Sequence, residues 1–391
     1  MKHVISTEKR PIKLWLDDLE PGALDQAKNL ANLPFAFRHI PIMPDSHQGY
    51  GMPIGSILAT TGVVVPNAVG VDIGCGMCAQ KTNLTTITKD QLKQILGHAR
   101  GLIPLGFNWH ETAQDENLMP EGHENLKLVS RGYPKALKQI GSLGGGNHFI
   151  EIQKGDDGFI WVMIHSGSRN LGHSVAKHYN HAAIKLNEKY HSVVSKKMEL
   201  AFFPIEDQLA KDYIEEMNYC IAFALANRKL MMKRMMESIA YVMEKEEGVH
   251  LETDEIINKS HNFAAWENHF NMNVFVHRKG ATSAFKDELG MIPGSQGSAS
   301  YIVRGLGNPE SFMSCSHGAG RKMGRKQAQR ELDLDAEIKL LDDQNIVHAI
   351  RNKTDLDEAA SAYKDIDIVM ENQTDLAEIV VKLKPLAVLK G

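Results

Sequence analysis

The sequence predicts a single large α+β domain spanning residues 1–391, in which buried β-sheets are interleaved with helices. Apolar, strand-like segments occur in both halves of the chain, and a long helical excursion separates them. No internal repeat, linker or low-complexity segment divides the sequence, which favours one interleaved domain over a string of domains. Because 43% of the residues are apolar, the chain can bury a sizeable core, which excludes global disorder.

The first half contains two predicted buried strands with a helix between them. Residues 55–66, GSILATTGVVVP, carry no charge and predict buried sheet. Thr88 and Gln91 have the spacing of a capping box, and apolar residues then recur on one helical face. Residues 159–169, FIWVMIHSGSR, predict a strand that runs into a Gly/Ser loop.

The helical excursion is predicted at about residues 173–258, because residues 173–200 and 206–246 lack Pro and Gly. It contains a group of methionines that suits either core filling or a promiscuous binding surface. These methionines are Met231, Met232, Met235, Met236 and Met243. Strands return at 273–277 (NVFVH) and 299–305 (ASYIVRG).

Charge and cysteine content narrow the function classes. A formal net charge of −4 argues against a protein that coats nucleic acid or anionic membrane nonspecifically, although a local basic cleft remains compatible with it. No segment reaches the ~20 apolar residues that span a bilayer, and the first residues lack a secretory pattern, so we expect a cytoplasmic protein. Four cysteines are too few to stabilise a chain of this length through disulfide bonds. Eighteen histidines, against 13 phenylalanines, direct the search for site chemistry to imidazole.

Two residues in VDIGCGM form the first candidate site. Asp72 and Cys75 lie three apart at the end of an apolar segment, and their glycine neighbours allow a tight turn beside a bound ion. The alternative is a buried cysteine in a glycine-rich turn. Cys75 and Cys78 also spell C-x-x-C, but the chain has no second pair for a four-cysteine zinc site.

Three histidines add to this site. His148 follows three glycines in GSLGGGNHFIEI, His165 ends a predicted strand, and His261 lies in SHNFAAWENH. Each histidine alone is typical of a hydrogen-bonded core or surface residue. Together with Asp72 and Cys75 they supply enough donors for one or two divalent ions, which predicts a central metal-binding cleft.

His317 lies in FMSCSHGAGRKMGRKQAQR, where a strand-like run, a glycine loop and a basic helix-like stretch follow one another. This order suits a nucleophile or an acid/base group beside phosphate, or merely a solvated basic helix face. In IPGSQGSASY, the hydroxyls of Ser295 and Ser300 suit a phosphate or nucleoside contact, or a turn.

Together these segments resemble the RtcB family of RNA-splicing ligases. The middle excursion contributes little to the resemblance, which otherwise runs nearly end to end. The matching motifs are MPDSHQGYGMPIG (43–55), VGVDIGCGM (69–77), GSLGGGNHFIE (141–151), HSGSRNLG (165–172), SHN (260–262), VHRKGAT (276–282), IPGSQGSASY (292–301), SCSHGAGR (314–321), AYKDID (362–367) and the terminal LKG.

The resemblance implies an enzyme that joins an RNA 3′-phosphate or 2′,3′-cyclic phosphate to a 5′-hydroxyl, using GTP and two Mn²⁺ ions. His317 would become guanylylated and then pass GMP to the RNA. The implied metal ligands are Asp72, Cys75, His148, His165 and His261. The implied guanylate pocket comprises Asn147, Phe149, Glu151, Ser295, Ser300, Gly318, Ala319, Gly320, Tyr363 and Lys390. Asp45, Arg169 and Arg321 match polar positions of the catalytic cleft.

Two other functions use part of the same pattern. One is a metal-dependent phosphoesterase that trims RNA ends without a covalent histidine, and the other is a noncatalytic RNA-binding module. The intact His317 motif and the terminal Lys390 favour ligation, since neither alternative needs a guanine pocket. The expected partners are therefore RNA ends and GTP, with no membrane contact.

Overall fold

Two large β-sheets and a layer of helices organise the computed structural model, which describes residues 1–391. The helices are α1 (Pro21–Ala31), α2 (Lys89–Leu102), α3 (Lys127–Gln139), α4 (Arg169–Lys189), α5 (Gln208–Glu247), α6 (Arg325–Glu331), α7 (Leu334–Asp342) and α8 (Ile366–Glu371). None of them is both long and apolar enough to cross a membrane.

The strands follow in chain order. They are β1 (His3–Ile5), β2 (Ile12–Leu14), β3 (Ile40–His47), β4 (Ile54–Thr60), β5 (Val63–Val64), β6 (Gly76–Lys81), β7 (Phe149–Gly155), β8 (Ile160–Ser166), β9 (Phe203–Pro204), β10 (Ile257–Ser260), β11 (Asn262–His269), β12 (Met272–Lys279), β13 (Ala281–Ser283), β14 (Leu289–Ile292), β15 (Ser300–Gly305), β16 (Ser314–Ser316) and β17 (Ala377–Lys390). One sheet has the order β1-β2-β3-β4-β12-β11 and the other has β10-β6-β8-β7-β17-β15-β14. The pairs β13–β16 and β5–β9 form two small sheets. All pairings are antiparallel except β2 with β3.

The α+β prediction is confirmed, and several of its elements lie where the sequence pattern placed them. Residues 55–66 form most of β4 and all of β5, and residues 159–169 contain β8. Helix α2 begins at the predicted capping box, in which the Thr88 hydroxyl accepts from the Gln91 amide and the Gln91 side chain accepts from the Thr88 amide.

The helical excursion differs from the prediction at its edges. Helix α4 already begins at Arg169 and ends at Lys189, so residues 190–200 are not part of a long helix. The chain turns at His191, whose φ is +51°, and then leads to β9. The range 173–258 also includes the start of β10. The absence of Pro and Gly therefore permitted a helix there but did not require one, because other residues also adopt the left-handed turn.

Helix α5, with 40 residues, has defined signals at both ends and a buried face. The Asp207 side chain accepts from the Leu209 amide at its start, and Gly248 ends it with φ +66°. Four of its five clustered methionines are at most 1% exposed and pack against α2 and strands β6–β8, namely Met231, Met232, Met235 and Met243. These four methionines therefore fill the core, which is the first of the two roles that the sequence allowed.

Candidate active site

A cluster of buried ligating side chains forms where neighbouring strands begin or end at one edge of the seven-stranded sheet. Cys75 directly precedes β6, His148 directly precedes β7, and His165 lies at the end of β8. Since β8 pairs with both β6 and β7, with His165 opposite Met77 and Phe149, the register brings these side chains together. His261 joins them because its amide donates to the Cys75 carbonyl, at 2.8 Å.

The ligating atoms of the five predicted metal ligands form one continuous chain of contacts. Cys75 Sγ lies 3.4 Å from His148 Nε2 and 3.3 Å from His165 Nε2. His148 Nε2 lies 3.1 Å from Asp72 Oδ2, and His165 Nε2 lies 3.3 Å from His261 Nε2. The atoms offered by Cys75, His148 and His165 all lie within 4.8 Å of one another, a spacing that one metal ion can bridge.

The tautomer of His165 is set by a backbone carbonyl. Its Nδ1 lies 3.0 Å from the Asn147 carbonyl oxygen, which can only accept, so Nδ1 carries the proton and Nε2 presents a lone pair to the cluster. An imidazole oriented in this way by a carbonyl oxygen is typical of a metal ligand.

Burial favours the neutral forms of three side chains of the cluster, namely Cys75, His165 and His261. Burial raises the pKa of the Cys75 thiol well above its usual value, and the neighbouring Asp72 carboxylate adds to the increase. Burial also lowers the pKa values of His165 and His261 well below their usual value. A divalent cation would reverse this balance for Cys75, because it favours the thiolate, and it would bind the neutral imidazoles as they are. The mixed oxygen, nitrogen and sulfur donors therefore fit a metal site.

Two buried polar residues of α5 hydrogen-bond to the backbone next to the cluster, and the sequence analysis missed both. The Arg228 side chain is fully buried, and its Nη1 donates to the carbonyls of Gly74 and Ser166, each at 2.8 Å. The Asn227 Oδ1 accepts from the Gly141 amide at 2.7 Å, ahead of the glycine loop. The available signal was that this Asn-Arg pair directly follows the apolar run CIAFALA at residues 220–226, since buried polar groups need partners.

His317 follows β16 and lies beside both the cluster and Asp45. Its ring centroid is 4.8 Å from that of His261. Its Nδ1 lies 2.6 Å from Oδ2 of the fully buried Asp45, and the same oxygen accepts from the His317 amide at 3.1 Å. Gly320 closes this loop with φ +75°, and a Cβ there would collide with the Asp45 carbonyl.

The Asp45 carboxylate is held ionised against its burial. Burial raises the pKa of Asp45, but the His317 ring and its hydrogen bond, with a further contribution from His47, outweigh that effect and leave it below its usual value. In the neutral imidazole, a proton on Nδ1 that is donated to Asp45 leaves the lone pair of His317 on Nε2. This is the arrangement of a positioned nucleophile or base.

A cleft of about 690 Å³ opens beside His317 and contains most of the predicted pocket residues. Its lining includes His165, His317 and Arg321 together with Asn147, Phe149, Glu151, Ser295, Gly318, Ala319, Gly320, Tyr363 and Lys390. Ser300 does not line the cleft. It is 1% exposed, and its hydroxyl accepts from the Gly294 amide at 3.2 Å.

Glu151 and Lys390 come from adjacent strands of the cleft floor. Glu151 on β7 pairs with Val388 on β17, and Lys390 pairs with Phe149. Burial raises the pKa of Glu151 to about 7, although Gln153 and Lys390 lower it in part. Gln153 donates to Glu151 Oε2 at 2.7 Å and to the Ser300 hydroxyl at 3.1 Å, which explains the buried position of Ser300.

The two predicted arginines lie in different surroundings. Arg169, at the start of α4, donates to the Gly106 carbonyl at 2.7 Å and to the Ser142 hydroxyl at 3.1 Å, so its partners are neutral oxygens. Arg321 donates to Glu358 Oε2 at 2.9 Å. Arg321 borders the cleft, whereas Arg169 lies outside its lining, on the side of the metal cluster.

Glu358 is a third residue that the sequence analysis missed. It is 1% exposed and accepts from Arg321, from Arg325 Nε at 2.7 Å and from the Tyr363 hydroxyl. Lys390 and Arg321 hold the pKa of Glu358 below its usual value, although burial acts in the opposite direction. One buried carboxylate therefore organises three side chains at the rim of the cleft.

Comparisons with known proteins agree on one family over nearly the whole chain. The family model described as tRNA-splicing ligase RtcB matches residues 26–129 and 109–391. The RNA-splicing ligase RtcB of Escherichia coli is 36% identical over 410 residues, which cover 99% of this chain and 99% of that protein. The tRNA-splicing ligase RtcB of Thermococcus kodakarensis is 33% identical over 458 residues, which cover 97% of this chain and 95% of that protein.

Proposed function

The chain belongs to the RtcB family of tRNA- and RNA-splicing ligases, and on that premise we propose that it joins RNA 3′-phosphate or 2′,3′-cyclic phosphate ends to 5′-hydroxyl ends with GTP and Mn²⁺. The observation that carries the proposal is the position of His317. It is held by the buried Asp45, lies next to the His261 imidazole of the cluster and opens into the cleft.

In the proposed first step, His317 is the nucleophile. Because Nδ1 donates to Asp45, the Nε2 lone pair is free to attack the α-phosphorus of GTP. A P–N bond forms, the bond to the β-phosphate oxygen breaks, and pyrophosphate leaves. The Asp45 carboxylate stabilises the positive charge that develops on the ring.

In the following steps, GMP activates the RNA end. An oxygen of the RNA 3′-phosphate attacks the guanylyl phosphorus, the imidazole of His317 leaves, and an RNA-(3′)pp(5′)G anhydride results. The 5′-hydroxyl of the second RNA then attacks the 3′-phosphorus, and GMP leaves. A free phosphate oxygen is a poor leaving group, so the ligation needs this activation. A 2′,3′-cyclic phosphate must first be opened by water to expose the 3′-phosphate.

The five clustered ligands would hold the metal ions, with Cys75 central because its sulfur lies between two imidazoles. A bound divalent cation offsets the charge of phosphates that approach one another. The donor set alone favours zinc over manganese, so the choice of Mn²⁺ rests on the family. A reducing compartment such as the cytoplasm suits this site, since the Cys75 thiol must stay free to bind metal.

The cleft would bind the guanine through Glu151 and Lys390. An ionised Glu151 accepts from guanine N–H groups, and Lys390 donates to an acceptor on the base. Adenine lacks this pattern and would leave Lys390 and the second oxygen of Glu151 without a partner on the base, at about 1 to 3 kcal/mol per group. Phe149, whose ring centroid lies 5.9 Å from Lys390 Nζ, supplies an apolar wall of the cleft beside Lys390.

The RNA ends would be held by individual arginines. Such local contacts are compatible with RNA binding by a protein whose net charge is −4. Arg169 is the better phosphate ligand, because its partners are neutral and its Nη1 has no hydrogen-bond partner within the protein. Arg321 is already neutralised by Glu358 and orders the rim of the cleft.

The experiment that tests the proposal is incubation with α-labelled GTP and Mn²⁺, followed by denaturing electrophoresis. We expect a labelled adduct that is acid-labile and base-stable, as a histidine phosphoramidate is, and that His317→Ala lacks. An adduct that persists in His317→Ala would contradict the assignment. Removal of phosphate from RNA ends without any adduct would support a phosphoesterase instead.

A further inference from the structure

A short loop beside the metal cluster exposes two aromatic side chains that the proposed chemistry does not use. Phe107 is fully exposed and Trp109 is 43% exposed. They lie two residues apart in the connection between α2 and α3, in the sequence GFNWH. Apolar rings of this size ordinarily contribute burial energy, so two of them in water on one short loop suggest a ligand.

The backbone that carries the two rings is firmly held. Arg169 Nη2 donates to the Gly106 carbonyl at 2.7 Å and to the Asn108 carbonyl at 3.4 Å. On the far side, the His110 amide donates to the Lys138 carbonyl at 2.9 Å. The rings are therefore presented by an ordered backbone, and a ligand that binds them loses little free energy to loop ordering.

The loop lies between the metal side and the nucleotide side of the site. Arg169 Nη1 and His148 Nδ1 both pack against Gly144, so the arginine that supports the loop also adjoins a predicted metal ligand. The terminal Gly391, which follows Lys390 of the cleft, packs against the backbones of Gly106 and Gly144. An RNA strand whose terminal phosphate reaches the cluster past Arg169 would pass this loop.

We propose that Phe107 and Trp109 form a stacking platform for the bases of the RNA strand that carries the 3′-phosphate, an inference that rests on the proposed ligase function. Single-stranded RNA is bound by aromatic rings that stack on its bases and by cations that contact its phosphates. Here Arg169, whose Nη1 has no hydrogen-bond partner within the protein, contacts the loop backbone, and Arg325 packs against Gly146, two residues from the Gly144 that Arg169 adjoins. These cations favour a polyanion over an apolar protein partner as the occupant.

The test is the affinity for a fluorescein-labelled single-stranded RNA with a 3′-phosphate, measured by anisotropy on the full chain with Mn²⁺ and without GTP. We expect Phe107→Leu and Trp109→Ala each to raise the dissociation constant about five- to tenfold, the effect of one lost stacking contact. Phe107→Tyr keeps a ring and should bind like the wild type. Trp266→Ala is the matched control, because Trp266 is also exposed (52%) but lies on β11.

Wild-type affinity in Phe107→Leu would overturn the platform and point to a protein partner for this surface. Self-guanylylation uses no RNA and is measured on the same proteins, so the two proposals fail separately. An adduct in the wild type together with wild-type RNA affinity in Phe107→Leu refutes only the platform. RNA binding that depends on Phe107 without any adduct supports the platform and refutes the guanylylated histidine.

Discussion

Replacing Asp45 by Asn should slow guanylylation of His317 sharply while leaving the fold intact. Asp45 Oδ2 accepts from His317 Nδ1 at 2.6 Å and from the amides of His317 and Gly318 at 3.1 and 3.3 Å. An asparagine oxygen in the same place keeps these three contacts but removes the negative charge. An asparagine turned the other way places its NH₂ group against Nδ1 and forces the proton onto Nε2, which abolishes the nucleophile.

The magnitude follows from the charge. Exchanging a charged acceptor for a neutral one weakens a hydrogen bond by about 1 kcal/mol, and a unit charge ~4 Å from a developing cation contributes about 4 kcal/mol at an effective dielectric constant of 20. These bounds correspond to a rate loss of about five- to a thousandfold. Stability should fall only modestly, because the asparagine oxygen keeps the contacts of Oδ2, and relief of the desolvation at Oδ1, which is buried without a partner, offsets part of the lost attraction to His317.

The assay is the initial rate of adduct formation with α-labelled GTP, accompanied by thermal unfolding of each variant. Asp17→Asn is the matched control, since Asp17 also pairs with a histidine, His3, at 2.9 Å, but both side chains are exposed. We expect wild-type guanylylation in this control. If Asp45→Asn forms the adduct within threefold of the wild-type rate, the carboxylate does not set the state of His317 and the reasoning is wrong.

Three further outcomes are expected. Cys75→Ala should abolish Mn²⁺ binding in equilibrium dialysis, and with it guanylylation. Cys78→Ala should retain most of both, because Cys78 packs in an apolar core. Equal behaviour of the two variants would refute a bridging Cys75. GTP affinity should fall as the pH is lowered through about 7, because Glu151 then gains a proton and no longer accepts from guanine. The affinity is measured by calorimetric titration at several pH values. The same pH dependence in Glu151→Gln would exclude this cause. Pre-guanylylated Arg169→Ala, chased with 3′-phosphate RNA, should transfer GMP more slowly than wild type, and unchanged transfer with only a lower melting temperature would leave Arg169 a supporting residue.

Local patterns predicted the elements whose signals are complete within a few residues. The capping box at Thr88 and the uncharged strand at residues 55–66 are of this kind, and both occur in the structure. The end of α4 was not predictable in this way. The turn at His191 uses a left-handed conformation that the sequence does not mark with Gly or Asn.

The partners of buried polar groups depend on long-range contacts, and this limited the prediction of the site. His165 with Arg169 and His317 with Arg321 have the same spacing, and the resemblance assigned both arginines to the catalytic cleft. The structure separates them, because Arg321 pairs with Glu358, 37 residues further along the chain, whereas Arg169 contacts neutral oxygens. The spacing of residues within a motif does not indicate which distant carboxylate will pair with the arginine of that motif.

The metal cluster and the nucleotide cleft are coupled through the register of β7. His148 directly precedes this strand, Phe149 pairs with His165 on one neighbour and with Lys390 on the other, and Glu151 lies two residues further along. Because side chains alternate along a strand, Phe149 and Glu151 share the face that lines the cleft. A one-residue slip of β7 would turn Glu151 away from the cleft and shift His148 from the cluster in the same movement. The sheet pairing thus holds the proposed metal ligands and the guanine-binding groups at fixed positions on either side of His317.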